Sequence, residues 1–305
     1  MTPPTPIDVL CVGHAAYDLT FSVPHQPGPD QKCVATALVE CGGGPAANAA
    51  VTVVRLGLRS AFAGYLGNDV FGDRHVKELE TEGILTDLVV RGERSTPLSI
   101  VLVKPDGERS LVNYRENTDP LPAETVCGEP YQPKVILFDG HEPLMAEALV
   151  KYARANNIPT ILDAGSVHPG TEALVSQVDY LIASKRFARN YTGLRNPEQA
   201  LSKLADVAPH VVITLGSDGL LWHRGPEAGA LPARPITAID TTGAGDAFHG
   251  AFSAGLAHRL GWTNLLELSS AVAALCCLKM GARHGIPTRS ELADFLEYPD
   301  QDPPW

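Results

Sequence analysis

Ile7-Asp8-Val9-Leu10-Cys11-Val12 is a short apolar run closed by Gly13. It has the look of a parallel strand buried on both faces, where side chains need not alternate. Working outward, residues 45–56 are dense in Ala and Val, and Gly57 stands where a helix C-terminus puts a glycine. Residues 60–65 predict the next strand, and residues 71–82 an amphipathic helix stopped by Gly83. Further apolar runs lie at 135–138, 160–162, 180–182 and 211–215, with helical patterns at 144–156 and 197–207. Strands alternating with helices predict an α/β fold, a mostly parallel central sheet flanked by helices on both faces.

Two stretches break that rhythm. Ser99-Ile-Val-Leu-Val103 and Arg109-Ser-Leu-Val-Asn113 are joined through Pro105-Asp-Gly107, a hairpin with its own turn signal. Residues 19–23 and 33–39 also read as strands. The four predict a small β-sheet lid from segments 18–41 and 97–115; two edge hairpins on the main sheet are the alternative. The last third reads as helices at 244–260 and 265–280, then a capping box, Thr288-Arg-Ser-Glu291, opening a final helix. The tail 298–305 is expected to fray. There is no internal repeat, and residues 1–305 are expected to form a single domain. Exposed lid edges predict a homodimer.

Composition excludes several classes of function. The 305 residues are 44% apolar, with 28 Gly and 25 Pro, so a disordered or low-complexity chain is ruled out. Lys and Arg number 24 against 35 Asp and Glu, leaving a formal charge of −11, which argues against nucleic acid and membrane surfaces as partners. No apolar run reaches the roughly 18 residues of a spanning helix. The opening Met-Thr-Pro-Pro-Thr-Pro has no export signal. Cysteines at 11, 33, 41, 127, 276 and 277 form no Cys-x-x-Cys pair, so reduced thiols in the cytoplasm are expected.

The chemistry concentrates in Asp240-Thr-Thr-Gly243-Ala244-Gly245-Asp246-Ala-Phe248, which leads into a long helical pattern. Residues 243–245 have little or no side chain, so their amides can approach a ligand closely at the positive end of the helix dipole. That favours an anion, most naturally phosphate. Asp246 in the first turn can take a proton from an attacking hydroxyl. A merely structural reading, small residues for packing and Asp for the dipole, leaves the crowding of Gly and Asp into four positions unexplained. No Walker P-loop and no Gly-x-Gly-x-x-Gly after the first strand occurs. A second cluster, Gly42-Gly43-Gly44-Pro-Ala-Ala-Asn48, opens another helix, and Asp18 lies past the first strand, where open α/β sheets hold ligands. Asp and Asn suit a polyhydroxylated ligand. Leu215-Gly216-Ser-Asp-Gly219 reads as a tight hairpin turn.

Together these segments resemble the ribokinase (PfkB-type) family of carbohydrate kinases, over nearly the whole chain. The resemblance rests on Gly42-Gly43-Gly44-Pro-Ala-Ala-Asn48, on residues 240–248, and on Tyr65-Leu-Gly-Asn-Asp69 with Phe71-Gly72. It implies a ribokinase-like fold and transfer of the γ-phosphoryl group of ATP, with Mg²⁺, to a sugar hydroxyl. By the same resemblance Asp246 would be the base, and Gly243, Ala244 and Gly245 would steady the moving phosphoryl group. Asp18, Gly42, Gly43 and Asn48 would hold the sugar; Ser184, Thr214, Gly216 and Gly219 would line the nucleotide. A monovalent cation, K⁺ in many members, would sit near Asp240 and residues 279–285. One departure stands out: the family commonly has Asn-x-x-Glu where this chain has Ser184-Lys-Arg-Phe187.

Several stretches are similar to the 6-deoxy-6-sulfofructose kinase branch. They are the Gly-Gly-Gly-Pro-Ala-Ala turn, Ser184, Gly107-Glu-Arg109 with Asn113-Tyr114, and Gly281-Ala-Arg-His-Gly285-Ile-Pro287. That similarity implies a sulfonate gripped by a Lys, a lid Asn and an Arg. Lys32 and Asn113 match the first two positions, whereas the third is His141. An unmodified ketose and a sugar phosphate stay open as substrates. So do a nucleoside kinase on the same scaffold and a non-catalytic sugar- or nucleotide-binding module.

Overall fold

The computed structural model describes residues 5–116, 119–126 and 131–296. In chain order the first half holds β1 (Thr5–Val12), β2 (Ala16–Ser22), β3 (Ala37–Gly43), α1 (Pro45–Arg55), β4 (Ser60–Gly67), α2 (Val70–Glu82), β5 (Leu85–Gly92), β6 (Leu98–Val103) and β7 (Arg109–Tyr114). Then come β8 (Tyr131–Phe138), α3 (Pro143–Asn156), β9 (Thr160–Ala164), α4 (Pro169–Leu174), β10 (Tyr180–Ser184), α5 (Lys185–Thr192), α6 (Pro197–Ala205) and β11 (His210–Thr214). The chain closes with β12 (Leu220–Arg224), β13 (Glu227–Leu231), α7 (Ala244–Ala257), α8 (Trp262–Cys276), α9 (Ala282–Gly285) and α10 (Arg289–Phe295).

Nine strands form the central sheet in the order β13-β12-β11-β10-β9-β8-β1-β4-β5. Pairing is parallel except at one edge, where β11, β12 and β13 form an antiparallel meander. Alternate residues of one strand serve two cores. Val9 and Cys11 pack with Phe62, Val51 of α1, Phe252 of α7 and Val272 of α8. Leu10 and Val12 face the other way, onto Met145 and Val150 of α3, Phe187 of α5 and Leu204 of α6. A strand with both faces covered has no polar face to show, which is why β1 reads as a continuous apolar run.

Local signals explain the helix ends. Asp69 caps α2 by accepting from the amides of Phe71 and Gly72, and Gly83 ends that helix in the left-handed conformation. Thr288 and Glu291 form the reciprocal capping box of α10.

The second sheet is separate and small, in the order β3-β2-β6-β7, with β2 and β6 parallel and the outer pairs antiparallel. The edge-hairpin alternative is therefore excluded. The strand expected at 33–39 is corrected to β3, Ala37–Gly43, so residues 33–36 belong to the connection. β2 begins at Ala16 rather than Leu19, which places Asp18 inside a strand. β5, β12, β13, α4 and α5 carry no strong pattern and were not expected. In β13, Glu-Ala-Gly-Ala-Leu has strand form because β12 offers it an edge. α7 and α8 stop before the expected ends, 260 and 280.

Among the described cysteines, Cys11, Cys33, Cys41, Cys276 and Cys277 are free thiols. Cys127 and the tail 298–305 lie outside the described residues. Among the described residues no helix is long and apolar enough to cross a membrane.

Candidate active site

Two helices rich in small residues bring the candidate groups together. Where α1 meets α7, a Cβ on Gly250 would stand 2.5 Å from Thr52 Cβ and 2.6 Å from the Ala49 carbonyl oxygen. That close approach lets the Asn48 amide span the gap, donating from Nδ2 to Asp246 Oδ2 at 2.8 Å. Its Oδ1 accepts from Arg283 Nε and Nη2 at 3.3 and 3.2 Å. An amide nitrogen has two hydrogens, and Asn48, itself buried, gives one of them to Asp246.

α7 opens at Gly243, left-handed at φ +78°, with no side chain capping its first amides. Gly245 faces open space, and half-buried Asp246 stands in the first turn. Ala244 N reaches Thr241 O at 3.4 Å; the other amides at this positive end of a helix dipole, with a carboxylate beside them, can hold an oxyanion next to a proton acceptor.

Across from this turn lies Asp18, 5% exposed. Gly43 passes so close that any Cβ there would collide with the Asp18 carboxyl group. Burial pushes that carboxyl up to about 6 and the charge of Asp246 pushes the same way, opposed by a hydrogen bond from Ser99 and by Arg283 and Arg109. Asp18, Ser99 and Asn113 are neighbours in register across β2, β6 and β7, so they share one face of the small sheet.

The rim is built on the turn after β8. Asp139 accepts from the amides of His14 (2.7 Å), Ala46 (3.2 Å) and His141 (2.9 Å), fastening the ends of β1 and β8 to the start of α1. The His141 ring stacks on His168, lies 4.9 Å from His14 between centroids, and has Arg115 Nη1 3.2 Å from its Nδ1. Burial holds His14 well below the usual imidazole range and lowers His168. Burial also lifts the Glu142 carboxyl to about 7, although it accepts the Leu121 amide.

On the other side, Ser184 and Thr214 end adjacent strands as direct partners in register. Gly216 and Gly219 bound the turn between β11 and β12, closed by Leu215 N to Gly219 O at 2.8 Å. Ser184 caps α5 by accepting the Phe187 amide at 2.9 Å.

The pattern of pfkB family carbohydrate kinases matches residues 6–289. The chain belongs to this family. It is 26% identical to the ribokinase of Bacillus subtilis over 95% of this chain and 99% of that one. It is 27% identical to the fructokinase of Vibrio alginolyticus over 86% and 93%. The solved structure of Arabidopsis thaliana ribokinase complexed with ribose and ATP superposes at a TM-score of 0.81, with 23% identity over 96% of this chain and 99% of that one. The protein is thus a sugar kinase, a phosphotransferase with an alcohol acceptor.

Within this pfkB-family kinase the structure brings Asn48 onto Asp246 and Gly43 against Asp18, with Gly42 beside Arg283 and with Gly243, Ala244 and Gly245 at the start of the helix that carries Asp246; His141 stands on the turn after β8. The structure gathers Ser184, Thr214, Gly216 and Gly219 at the ends of β10 and β11. Lys32 is not brought in: it stands exposed in the connection before β3, without a hydrogen bond or ion pair to the other candidates among the described residues. The reason is the later start of β3, which leaves Lys32 five residues short of the strand. Asp240 is fully buried and taken up by protein donors: its Oδ1 accepts from Thr242 N and Oγ1 at 2.9 and 2.6 Å, and its Oδ2 from Gly281 N at 2.8 Å. It staples the loop before α7 to the loop before α9.

Sequence reasoning missed four groups here. Asp139 is the fastener just described. Asp163, at the end of β9, faces His249 Nδ1 at 3.3 Å; burial raises its carboxyl strongly, against the pull of His249. Arg283 and Glu78 meet under the glycine turn, 3.4 Å apart. Only Arg283 lay in a stretch already singled out, and no spacing rule tied it to Asn48.

Proposed function

We propose that this kinase transfers the γ-phosphoryl group of ATP to a hydroxyl of a furanose-forming sugar of the ribose or fructose kind. The observation that carries this reading is Asp246 in the uncapped first turn of α7, tied through Asn48 to the wall that holds Asp18. Ionised Asp18 accepts hydrogens from sugar hydroxyls. Asp246 takes the proton of the attacking hydroxyl as the new O–P bond forms and the bond from the γ-phosphorus to the β–γ bridging oxygen breaks, releasing ADP. The amides of Gly243, Ala244 and Gly245 face the charge on the phosphoryl oxygens in flight, and Ser184, Thr214, Gly216 and Gly219 line the nucleotide.

Magnesium fits this site as an ion carried on the nucleotide's phosphates, since Mg²⁺ commonly keeps most of its waters and uses one or two carboxylates. Among the described residues no group of three His, Cys, Asp or Glu side chains could cage a metal ion, and Phe187 is fully buried where the family commonly has Glu. Asp163 and Asp246 are the carboxylates that would meet its water shell. When bound it neutralises phosphate charge. The expected K⁺ would sit beside the Asp240 staple.

A second reading has a specific observation in its favour. Arg115 Nη1 lies 3.2 Å from His141, so an arginine stands beside the position where the sulfosugar branch expects one. A sugar bearing a sulfonate or phosphate would meet Arg115, His141 and Asn113 there. The deciding experiment is ATP consumption with D-ribose, D-fructose, fructose 6-phosphate, 6-deoxy-6-sulfofructose and adenosine. Neutral sugars are expected to show the highest kcat/KM; preference for an anionic one moves the assignment to the second reading. Asn113→Ala is expected to raise KM for the sugar about tenfold, a loss of roughly 1.4 kcal/mol, with ATP affinity unchanged. An unchanged KM removes Asn113 from the site.

The small sheet is the proposed lid, and it supplies a dimer contact. Its outward face exposes Leu38, Ile100, Val112 and Tyr114. A homodimer joined through that face buries them. Light scattering should give a dimer for the native protein and a monomer for Val112→Glu; a native monomer at micromolar concentration refutes the contact. The free thiols fit a reducing compartment, with the cytoplasm as the proposed location.

A further inference from the structure

Arg283 is the largest fully buried side chain among the described residues, 1% exposed. A guanidinium buried that deeply needs partners, and here Nη1 makes no hydrogen bond and has only its ion pair with Glu78. Nε and Nη2 donate to Asn48 Oδ1 at 3.3 and 3.2 Å, Nη2 also reaches His75 Nε2 at 3.1 Å, and Nη1 faces Glu78 Oε1 at 3.4 Å. Glu78 in turn accepts the Gly42 amide at 2.7 Å. A Cβ at Gly42 would stand 2.4 Å from the His75 ring and 2.5 Å from Arg283 Nη1, in the space those two side chains occupy. The short helix α9 carries Arg283, and Arg55 Nη1 holds its backbone carbonyl at 2.8 Å.

The arrangement has a logical consequence for the amide between them. A guanidinium only donates, and an ionised carboxylate only accepts. An Asn side chain placed between the two therefore has one orientation that satisfies both: Oδ1 toward Arg283 and Nδ2 toward Asp246. Without Arg283 the Asn48 oxygen loses its donors, and the amide is free to swing away from the Asp246 carboxylate.

We infer that Arg283 is a positioning residue for phosphoryl transfer, fixing the Asn48 amide so that Nδ2 holds Asp246 Oδ2 and leaves the other carboxylate oxygen for the acceptor hydroxyl. Arg283 is buried behind Asn48 and acts through it. The inference rests on the reading of Asp246 as the base, and it assigns a function to a late loop more than 230 residues away from Asn48 in sequence.

The test uses the full-length protein with ATP and D-ribose or D-fructose, whichever the native enzyme turns over. Arg283→Ala is expected to lower kcat about 100-fold, with KM for ATP within about threefold of native, as befits a group that acts in the transition state. Free guanidinium should restore part of that loss in Arg283→Ala and none of it in Arg283→Ala combined with Asn48→Ala. A folded Arg283→Ala with kcat within about threefold of native overturns the inference. So does a loss of activity that guanidinium leaves untouched. A crystal structure of Arg283→Met supplies a readout independent of turnover: the Asn48–Asp246 hydrogen bond should be lost. Its retention at 2.8 Å also overturns the inference. Native-like activity in Asp246→Asn would instead sink the reading of the base, a result distinguishable from any of these.

Discussion

Asp246→Asn is expected to lower kcat by about 10³-fold, within the 10²–10⁴-fold range that a positioned base contributes. The side chain keeps its shape and its place in the first turn of α7, so the helix start and the nucleotide's surroundings are preserved. What disappears is the acceptor for the hydroxyl proton. The neutral amide also exchanges one charge-assisted hydrogen bond from Asn48 for an ordinary one. ATP affinity, measured by calorimetry or fluorescence, should stay within about threefold of native, because the loss falls on the transition state. Turnover within tenfold of native would remove Asp246 from the role of base, since the smallest contribution of such a group is about 10²-fold.

Asp18→Asn is expected to move function and stability in opposite directions. In the proposed site Asp18 accepts sugar hydroxyls most strongly as the carboxylate, and replacing a charged hydrogen-bond acceptor by a neutral one sacrifices about 1.5–3 kcal/mol, a rise in sugar KM of roughly 10- to 150-fold. The stability effect follows from its carboxyl titrating at about 6 in the fold against 3.8 in the free chain. Burial is the main cause, so above that range the folded protein holds an ionised group where the acid is preferred. The penalty is absent below the unfolded value, grows through the interval and is complete above the folded value. Asparagine removes it. The variant should be about 1–3 kcal/mol more stable at pH 7, and the gain should vanish below about pH 4. Urea midpoints at the two pH values measure this directly, and a variant less stable than native at pH 7 contradicts the assignment. The same titration predicts that native kcat/KM for the sugar falls as pH drops through about 6.

Much of the architecture was legible because local and tertiary demands agree. β1, β4, β8 and β11 were visible as apolar runs since both their faces are covered. α2 announced its end at Gly83 and α10 its start at Thr288, because capping chemistry is local. β12 and β13 were invisible for the opposite reason. They lie at a sheet edge, half exposed, and the neighbouring strand imposes the conformation that their residues leave open. β3 was misplaced because Cys33-Val-Ala-Thr36 has strand-like composition but no partner strand to pair with.

The site divides the same way. Asp246, the glycines beside it and Asn48 were recognisable because anion binding at a helix start needs small residues in consecutive positions, which is a pattern in one dimension. Asp139, Asp163 and Arg283 were not, because each acts across the fold: Asp139 on amides more than 90 residues earlier, Arg283 on an amide 235 residues away. Lys32, which matched by position, stands exposed in the connection before β3.

By itself the sequence determined the class of fold and the family, since these depend on periodicity and on residues adjacent in the chain. Only the tertiary structure decided which end of the Asn48 amide faces Asp246, why Gly42 and Gly43 must lack side chains, and how far Asp18 is lifted in pKa. Those properties come from close approach and lost solvent between distant segments. Burial and electrostatic fields arise only once such segments are packed together.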